Sequence, residues 1–284
     1  MNYPINSVGI IGSGTMAIGI GKACIKAGYD ILIYSLNTDR HNEVKQIFSL
    51  ALEKVIRIKD KDVRVYDFDK KIKITAVLDF MAEVDIIIET TTEDYKVKSG
   101  ILNQLDSAVA PTSPIFSNTS SLSIDQLSLS LKRPERFMGM HFINPAEVME
   151  LVELVKGKKT DERTVSIAKS FVISLNKDFI ILDNSPGFVV NRLLLLLINE
   201  AIHILEEETL TVEEIDKAMV MGAKHRLGPL AIADMIGLDI CLQALKNIHN
   251  MVGGNKYKPC YLLNKYIQKG FLGRKAKQGF YHYD

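Results

Sequence analysis

The stretch VGIIGSGTMAIGIGKA, residues 8–23, passes from one apolar run through two glycines into a second apolar run of different period. Val8, Ile10 and Ile11 read as a buried strand, whereas Met16, Ile20 and Ala23 recur at helical spacing. The glycines therefore fall at a strand-to-helix turn. Gly12, Gly14 and Ala17 have the spacing G-x-G-x-x-A, in the context that a dinucleotide fingerprint requires. Gly12 would make the tight turn and Gly14 would let a pyrophosphate approach the backbone. Thr15 and Met16 would open a helix whose N-terminus faces the phosphates. A glycine turn that binds nothing has the same spacing, so the turn alone does not decide the matter.

The second strand, DILIYS (30–35), ends on Ser35, where an NAD site usually places Asp or Glu to hold the ribose 2′-hydroxyl. A carboxylate there would repel the additional phosphate of NADP. Ser35 could instead hydrogen-bond that phosphate and Arg40 could supply charge, which favours NADP over NAD. Asp39 beside Arg40 argues the other way, and Arg40 has a second reading as a solvated charge at a helix start.

Beyond these elements, KIKITA (71–76), VDIIIET (84–90), PIFSNTS (114–120) and RFMGMHF (136–142) are short apolar strands alternating with helical stretches. The alternation predicts a Rossmann-type α/β domain, a doubly wound parallel sheet with helices on both faces. MELVELVKG (149–157) and KDFIILDN (177–184) extend the sheet, with a helix between them at 161–175. At Asn184-Ser185-Pro186-Gly187 the character changes to nearly continuous helix. Two domains are expected: a dinucleotide-binding domain at 1–184 and an all-α domain at 185–284. Thr211 and Glu214 form a capping box, and Gly222, Gly228-Pro229 and Gly253-Gly254 divide the helices.

Composition narrows the function classes. With 35 basic and 34 acidic residues the net charge is +1, so no global field recruits nucleic acid or an anionic membrane. The N-terminus lacks the pattern of an export signal. The greasiest run, LLLLLINEAIHIL from Leu193, is interrupted by Asn199, Glu200 and His203, well short of the roughly 18 residues of a spanning helix. It reads as a buried core helix. Cys24, Cys241 and Cys260 are odd in number and have no metal-type spacing, which fits a cytoplasmic protein and predicts no metal.

Two polar clusters fall at the carboxyl ends of strands, where a doubly wound sheet binds its ligands. They are SNTSSLS (117–123) and GMHFINPAEVMELVELVKG (139–157). His141 ends its strand, and Glu153 follows twelve residues later on another. If the two meet, the carboxylate would fix the imidazole tautomer and stabilise the imidazolium, giving the acid/base group that an alcohol-to-ketone hydride transfer needs. A satisfied core histidine and an unrelated surface glutamate would fit the spacing equally well.

These motifs, together with SPGFVVNRLL (185–194) and IGLDICL (236–242), resemble the short 3-hydroxyacyl-CoA dehydrogenases, in that family's order and spacing over residues 8–281. The resemblance is nearest to the bacterial 3-hydroxybutyryl-CoA dehydrogenases. It implies His141 as the catalytic acid/base, Glu153 as its partner, and Ser120 and Asn191 as active-site residues that hydrogen-bond the substrate oxygens. It also implies Glu93 and Lys98 of ETTTEDYKVK (89–98), with Asn144, along the nicotinamide side. Glu93 could alternatively be an ordinary carboxylate at a helix N-terminus. The acyl-CoA substrate would meet Lys54 in LEKVIRIKDKD (52–62), while Arg57, Lys59 and Lys61 read equally well as a solvated face. A homodimer through the C-terminal domain is expected.

The sequence departs from the family at Ala17, Ser35, Arg226, Ala276 and Lys277, none of them a catalytic position. Two other functions compete with this reading: a dehydrogenase of another 3-hydroxy acid, and a non-catalytic dinucleotide-binding relative.

Overall fold

A computed structural model describes residues 4–58 and 71–284, apart from the side chains of 52 and 54–58. The chain divides into two compact units, Met1–Ser185 and Pro186–Asp284. The first carries strands β1 (Ser7–Ile11), β2 (Asp30–Tyr34), β3 (Ile72–Thr75), β4 (Ile86–Glu89), β5 (Ile115–Ser117), β6 (Phe137–Phe142), β7 (Leu151–Lys156) and β8 (Asp178–Asp183). Its helices are α1 (Thr15–Ala27), α2 (His41–Ile58), α3 (Tyr95–Ala108), α4 (Ile124–Ser128) and α5 (Glu162–Ser174).

The eight strands form one sheet in the order β3-β2-β1-β4-β5-β6-β7-β8. The central strands are covered on both faces, which is why they read as unbroken apolar runs rather than alternating ones. Ile86, Ile87 and Ile88 are each fully buried, and each contributes about 1.5–3 kcal/mol by leaving water. Helix α1 lies close against α2 because Gly21 has no side chain; a Cβ there would stand 2.4 Å from the Phe48 ring.

One feature differs from the expected all-parallel sheet: β7 runs antiparallel to β6. Residues 143–150 connect them, and a parallel crossover needs about a dozen residues or more. Strand β8, reached from β7 through α5, pairs parallel with β7, so the last two strands both run opposite to the first six.

Register carries a row of residues across the strand ends, Thr75, Tyr34, Ile11, Glu89, Ser117 and Gly139. Strand β6 continues past this row, and β7 runs alongside it. The β6–β7 ribbon thus rises above the sheet on the side where the polar loops leave it.

The second unit is helical: α6 (Val190–Glu206), α7 (Val212–Lys217), α8 (Pro229–Ile236), α9 (Leu238–Val252) and α10 (Tyr261–Gln268). Thr211 and Glu214 form the reciprocal capping box at the start of α7. Gly228 precedes α8 and Gly253 ends α9. Helix α6 is not buried all round: Leu195, Ile198, Ala201 and Ile202 face the core of this unit, whereas Leu193 is 67% exposed. No helix among the described residues is long and apolar enough to cross a membrane.

Candidate active site

The turn after β1 lies where the strand order reverses, between β1 and β4, the usual ligand crevice of an open α/β sheet. Gly12 has φ +115°, and a Cβ there would stand 3.0 Å from Thr90 Oγ1. Its N–H donates to the Tyr34 carbonyl at 2.8 Å. Gly14 is the N-cap of α1, with no side chain capping the helix and no acidic residue in the first turn. Gly14 and Thr15 are exposed and Met16 is half-buried. A helix start with uncapped N–H groups, open to solvent and free of carboxylates, has the donor set that a pyrophosphate requires.

At the end of β2, Ser35 is buried, with its Oγ 2.9 Å from Ser13 Oγ and its carbonyl oxygen 2.8 Å from His41 Nε2. Arg40 is half-buried and already paired: its Nε and Nη2 donate to Glu43 at 3.1 and 3.3 Å. No carboxylate ends β2, and the guanidinium expected to supply charge is shared with a neighbouring glutamate.

Beneath the β4 and β5 ends lies a buried charge cluster that sequence reasoning missed in part. Glu89, fully buried, accepts from the N–H and Oγ of Thr91 at 2.6 Å each and from Ser117 Oγ at 2.6 Å. Lys98, 1% exposed, donates to both Glu89 oxygens at 2.9 and 3.1 Å and to the Thr91 carbonyl at 3.1 Å. Its ammonium also stands 3.6 Å from Glu93. Lys98 is therefore turned inward onto Glu89. The available signal for Glu89 was a carboxylate closing an otherwise apolar strand, nine residues before a lysine.

Glu93 in turn gathers the loop after β5. One carboxylate oxygen accepts from Thr119 Oγ1 at 2.7 Å, from the N–H groups of Ser120 and Ser121 at 2.9 and 2.8 Å, and from their hydroxyls at 3.3 and 3.0 Å. Burial works against its charge, but the Lys98 ammonium and these hydrogen bonds outweigh it and hold the carboxyl below its ordinary range. Glu93 is thus the anchor of the Ser120 loop, more than a helix-start carboxylate.

His141 and Glu153 stand directly opposite each other on β6 and β7. Directly opposite residues of an antiparallel pair share a face, and here Nδ1 lies 2.6 Å from Glu153 Oε2. Glu153 is fully buried and His141 is 6% exposed. Asn118, on the loop after β5, accepts from the Phe142 N–H at 2.9 Å and fixes the end of β6. With the carboxylate on Nδ1, proton exchange falls to Nε2.

Of the other predicted residues, Asn144 is exposed just beyond β6, and Asn191 lies in the first turn of α6 in the helical unit. The side chains of Lys54 and Arg57, and residues Lys59 and Lys61, lie outside the described residues.

Comparison with known proteins accounts for nearly the whole chain. Residues 7–185 match the 3-hydroxyacyl-CoA dehydrogenase NAD binding domain, and residues 187–283 match the 3-hydroxyacyl-CoA dehydrogenase C-terminal domain. A 3-hydroxybutyryl-CoA dehydrogenase of Bradyrhizobium diazoefficiens is 42% identical, over 98% of this chain and 96% of that one. One of Clostridioides difficile is 36% identical, over 97% and 98%. The crystal structure of (S)-3-hydroxybutyryl-CoA dehydrogenase from Ralstonia eutropha superposes with a TM-score of 0.91 at 38% identity, covering 99% of this chain and 100% of that one.

Proposed function

The chain belongs to the 3-hydroxyacyl-CoA dehydrogenase family, and we propose that it interconverts short-chain 3-hydroxyacyl-CoA and 3-oxoacyl-CoA, with 3-hydroxybutyryl-CoA as its substrate. It is an NAD-dependent oxidoreductase with an NAD-binding domain. The observation that carries the detailed reading is the buried His141–Glu153 pair, 2.6 Å apart at the ligand side of a sheet of dinucleotide-binding order.

The turn at Gly12 and Gly14, with Thr15 and Met16, would hold the dinucleotide phosphates on the start of α1. When bound, NAD supplies the acceptor for the C3 hydride. In the oxidative direction His141 Nε2 takes the proton of the 3-hydroxyl, and Glu153 stabilises the imidazolium that forms. In reduction the same nitrogen returns the proton to the carbonyl oxygen. Ser120, on the loop gathered by Glu93, donates a hydrogen bond to the substrate oxygen and keeps C3 in range. Asn191 is given a like role because of its place in SPGFVVNRLL. Lys98 supports the nicotinamide side through Glu93, Asn144 borders it, and Lys54 contacts CoA.

At the ribose end the reading admits NADP(H) beside NAD(H). The support is the absence of a carboxylate after β2, where Ser35 stands; the Arg40–Glu43 pairing limits how much charge that end offers a phosphate. Exposed apolar side chains on the helical unit, Leu193, Met221 and Ile240 among them, support a homodimer through that unit. Three free cysteines support a reducing cytoplasm.

The test is an initial-rate assay with acetoacetyl-CoA, NADH and NADPH, against His141→Ala. Turnover that falls by about 100-fold or more in the variant supports the reading. Equal turnover of a free 3-oxo acid would favour a dehydrogenase of another 3-hydroxy acid. Binding of NADH without turnover of either substrate would favour a non-catalytic protein.

A further inference from the structure

Among the described residues, one group of three potential metal ligands stands together outside the site above, in the helical unit: His203, Glu206 and Cys260. Helix α6 carries Asn199, His203 and Glu206 at positions i, i+4 and i+7, which share one face. That face meets the chain entering α10. The Asn199 side chain is buried; it accepts from the Cys260 N–H at 2.9 Å and donates to the Lys258 carbonyl at 3.1 Å. Asn264 donates to the Cys260 carbonyl at 3.3 Å. The backbone at Cys260 is thereby held on both sides, and its thiol is aimed at α6.

The ligand atoms converge. Cys260 Sγ lies 3.1 Å from Glu206 Oε2, His203 Nδ1 lies 3.7 Å from the same oxygen, and all three atoms fall within 4.8 Å of one another. The first two are close to the roughly 3.5 Å that separates adjacent ligands around a tetrahedral ion with bonds of about 2.0–2.3 Å, and a rotamer change of the exposed His203 would close the third. We infer that His203, Glu206 and Cys260 form a binding site for a divalent cation of the zinc class, which fastens the start of α10 to the end of α6.

The donor set decides the class of ion. A thiolate with an imidazole selects zinc-like ions over magnesium or calcium, which prefer all-oxygen sites. Three protein ligands leave a fourth position for water. His203 and Glu206 are exposed while Cys260 is buried, so the ion has an entry path from solvent and a fixed anchor beneath it. On binding, the S–H bond of Cys260 breaks, its proton passes to solvent and the sulfur lone pair is donated to the ion. No electrons are transferred.

The test uses untagged full-length protein stripped with a chelator and titrated with Co2+. Wild type is expected to develop a thiolate-to-cobalt charge-transfer band that saturates at one equivalent, and to lose it on addition of Zn2+. Its Tm should rise with added Zn2+. Cys260→Ser is expected to abolish the band, and His203→Gln to weaken binding by about tenfold or more. A wild type with neither band nor Tm shift would overturn the proposal. So would a band undiminished in Cys260→Ser, since the sulfur would then be Cys24 or Cys241. If Cys260→Ser fails to fold, the exposed His203→Gln decides: full-strength cobalt binding in that variant would refute the site.

Discussion

Glu153→Gln removes one charge from the acid/base pair while keeping the size of the side chain. The carboxylate is fully buried and lies 2.6 Å from His141 Nδ1, so little water is at hand to take its place. A hydrogen bond to an ionised partner is worth about 1.5–3 kcal/mol against about 0.5–1.5 for a neutral one, a difference of ~1–2 kcal/mol. The lost attraction between unit charges about 4 Å apart at an effective dielectric constant near 20 sets an upper figure of ~4 kcal/mol. The barrier should therefore rise by about 1–4 kcal/mol, and kcat should fall roughly 5- to 1000-fold. A glutamine amide that donates to Nδ1 would also hold the tautomer with its proton on Nε2, which cannot act as base in oxidation; that drives the loss toward the upper end.

In the proposed mechanism both directions of the reaction use the imidazolium, and the equilibrium constant belongs to the reactants alone. The fall in kcat/KM must then be the same for acetoacetyl-CoA reduction and 3-hydroxybutyryl-CoA oxidation. The assay is steady-state kinetics in both directions, with NADH binding followed by fluorescence as the control. Binding should be preserved, because the phosphate turn at Gly12 and Gly14 does not involve β7. A fall of less than about threefold, or ~0.7 kcal/mol, with binding intact would refute the acid/base assignment.

Three further outcomes follow from the same geometry. Gly12→Ala forces a side chain to φ +115° and to 3.0 Å from Thr90 Oγ1; it should cost about 1–2 kcal/mol of stability and weaken NADH binding, read by denaturant titration and fluorescence, and unchanged binding would sink the role of the turn. Ser35→Asp places a carboxylate beside the ribose and should lower the NADPH-to-NADH ratio of kcat/KM by about tenfold, since a repelled 2′-phosphate costs ~1.4 kcal/mol or more; an unaltered ratio would show that the end of β2 does not read the ribose. Glu93→Gln should be less stable than wild type near neutral pH. The folded carboxyl lies below the unfolded value of about 4.3, so its contribution is complete above that value and is lost as pH falls through the folded one. The gap between denaturation midpoints should thus narrow below about pH 4, and a gap independent of pH would refute the electrostatic account.

The sequence made the fold legible wherever local pattern and burial agree. The run from Val8 to Ala23 could be read because a strand buried on both faces must be apolar throughout and a helix packed on it must repeat near 3.6 residues. The direction of β7 was not legible in that way, since an apolar strand reads alike in either direction and only the length of residues 143–150 limits it. Ser35 and Arg40 were visible as residue types, but the bonds to Ser13 and Glu43 that occupy them depend on side-chain placement. Lys98 was singled out from its place in ETTTEDYKVK, but the bonds of its ammonium to Glu89 were not legible there. A sequence shows that a charge is present, and the burial that decides which way it points is a property of the packed sheet.

The reversal at β7 is also what builds the His141–Glu153 pair. Had β7 been parallel to β6, the polypeptide would have left the ligand side at Phe142 and returned from the opposite edge, and Glu153 would have had no fixed partner across the ribbon. The short turn instead sends the chain straight back, so that register alone sets Glu153 against His141. The side-chain period of a strand is two residues, and a slip of one would turn Glu153 to the other face of the ribbon, among Met140 and Phe142 in the apolar core. That core resists the slip, because a carboxylate without a partner there costs several kcal/mol. The apolar residues between the polar ones thus hold His141 Nδ1 and Glu153 Oε2 at 2.6 Å.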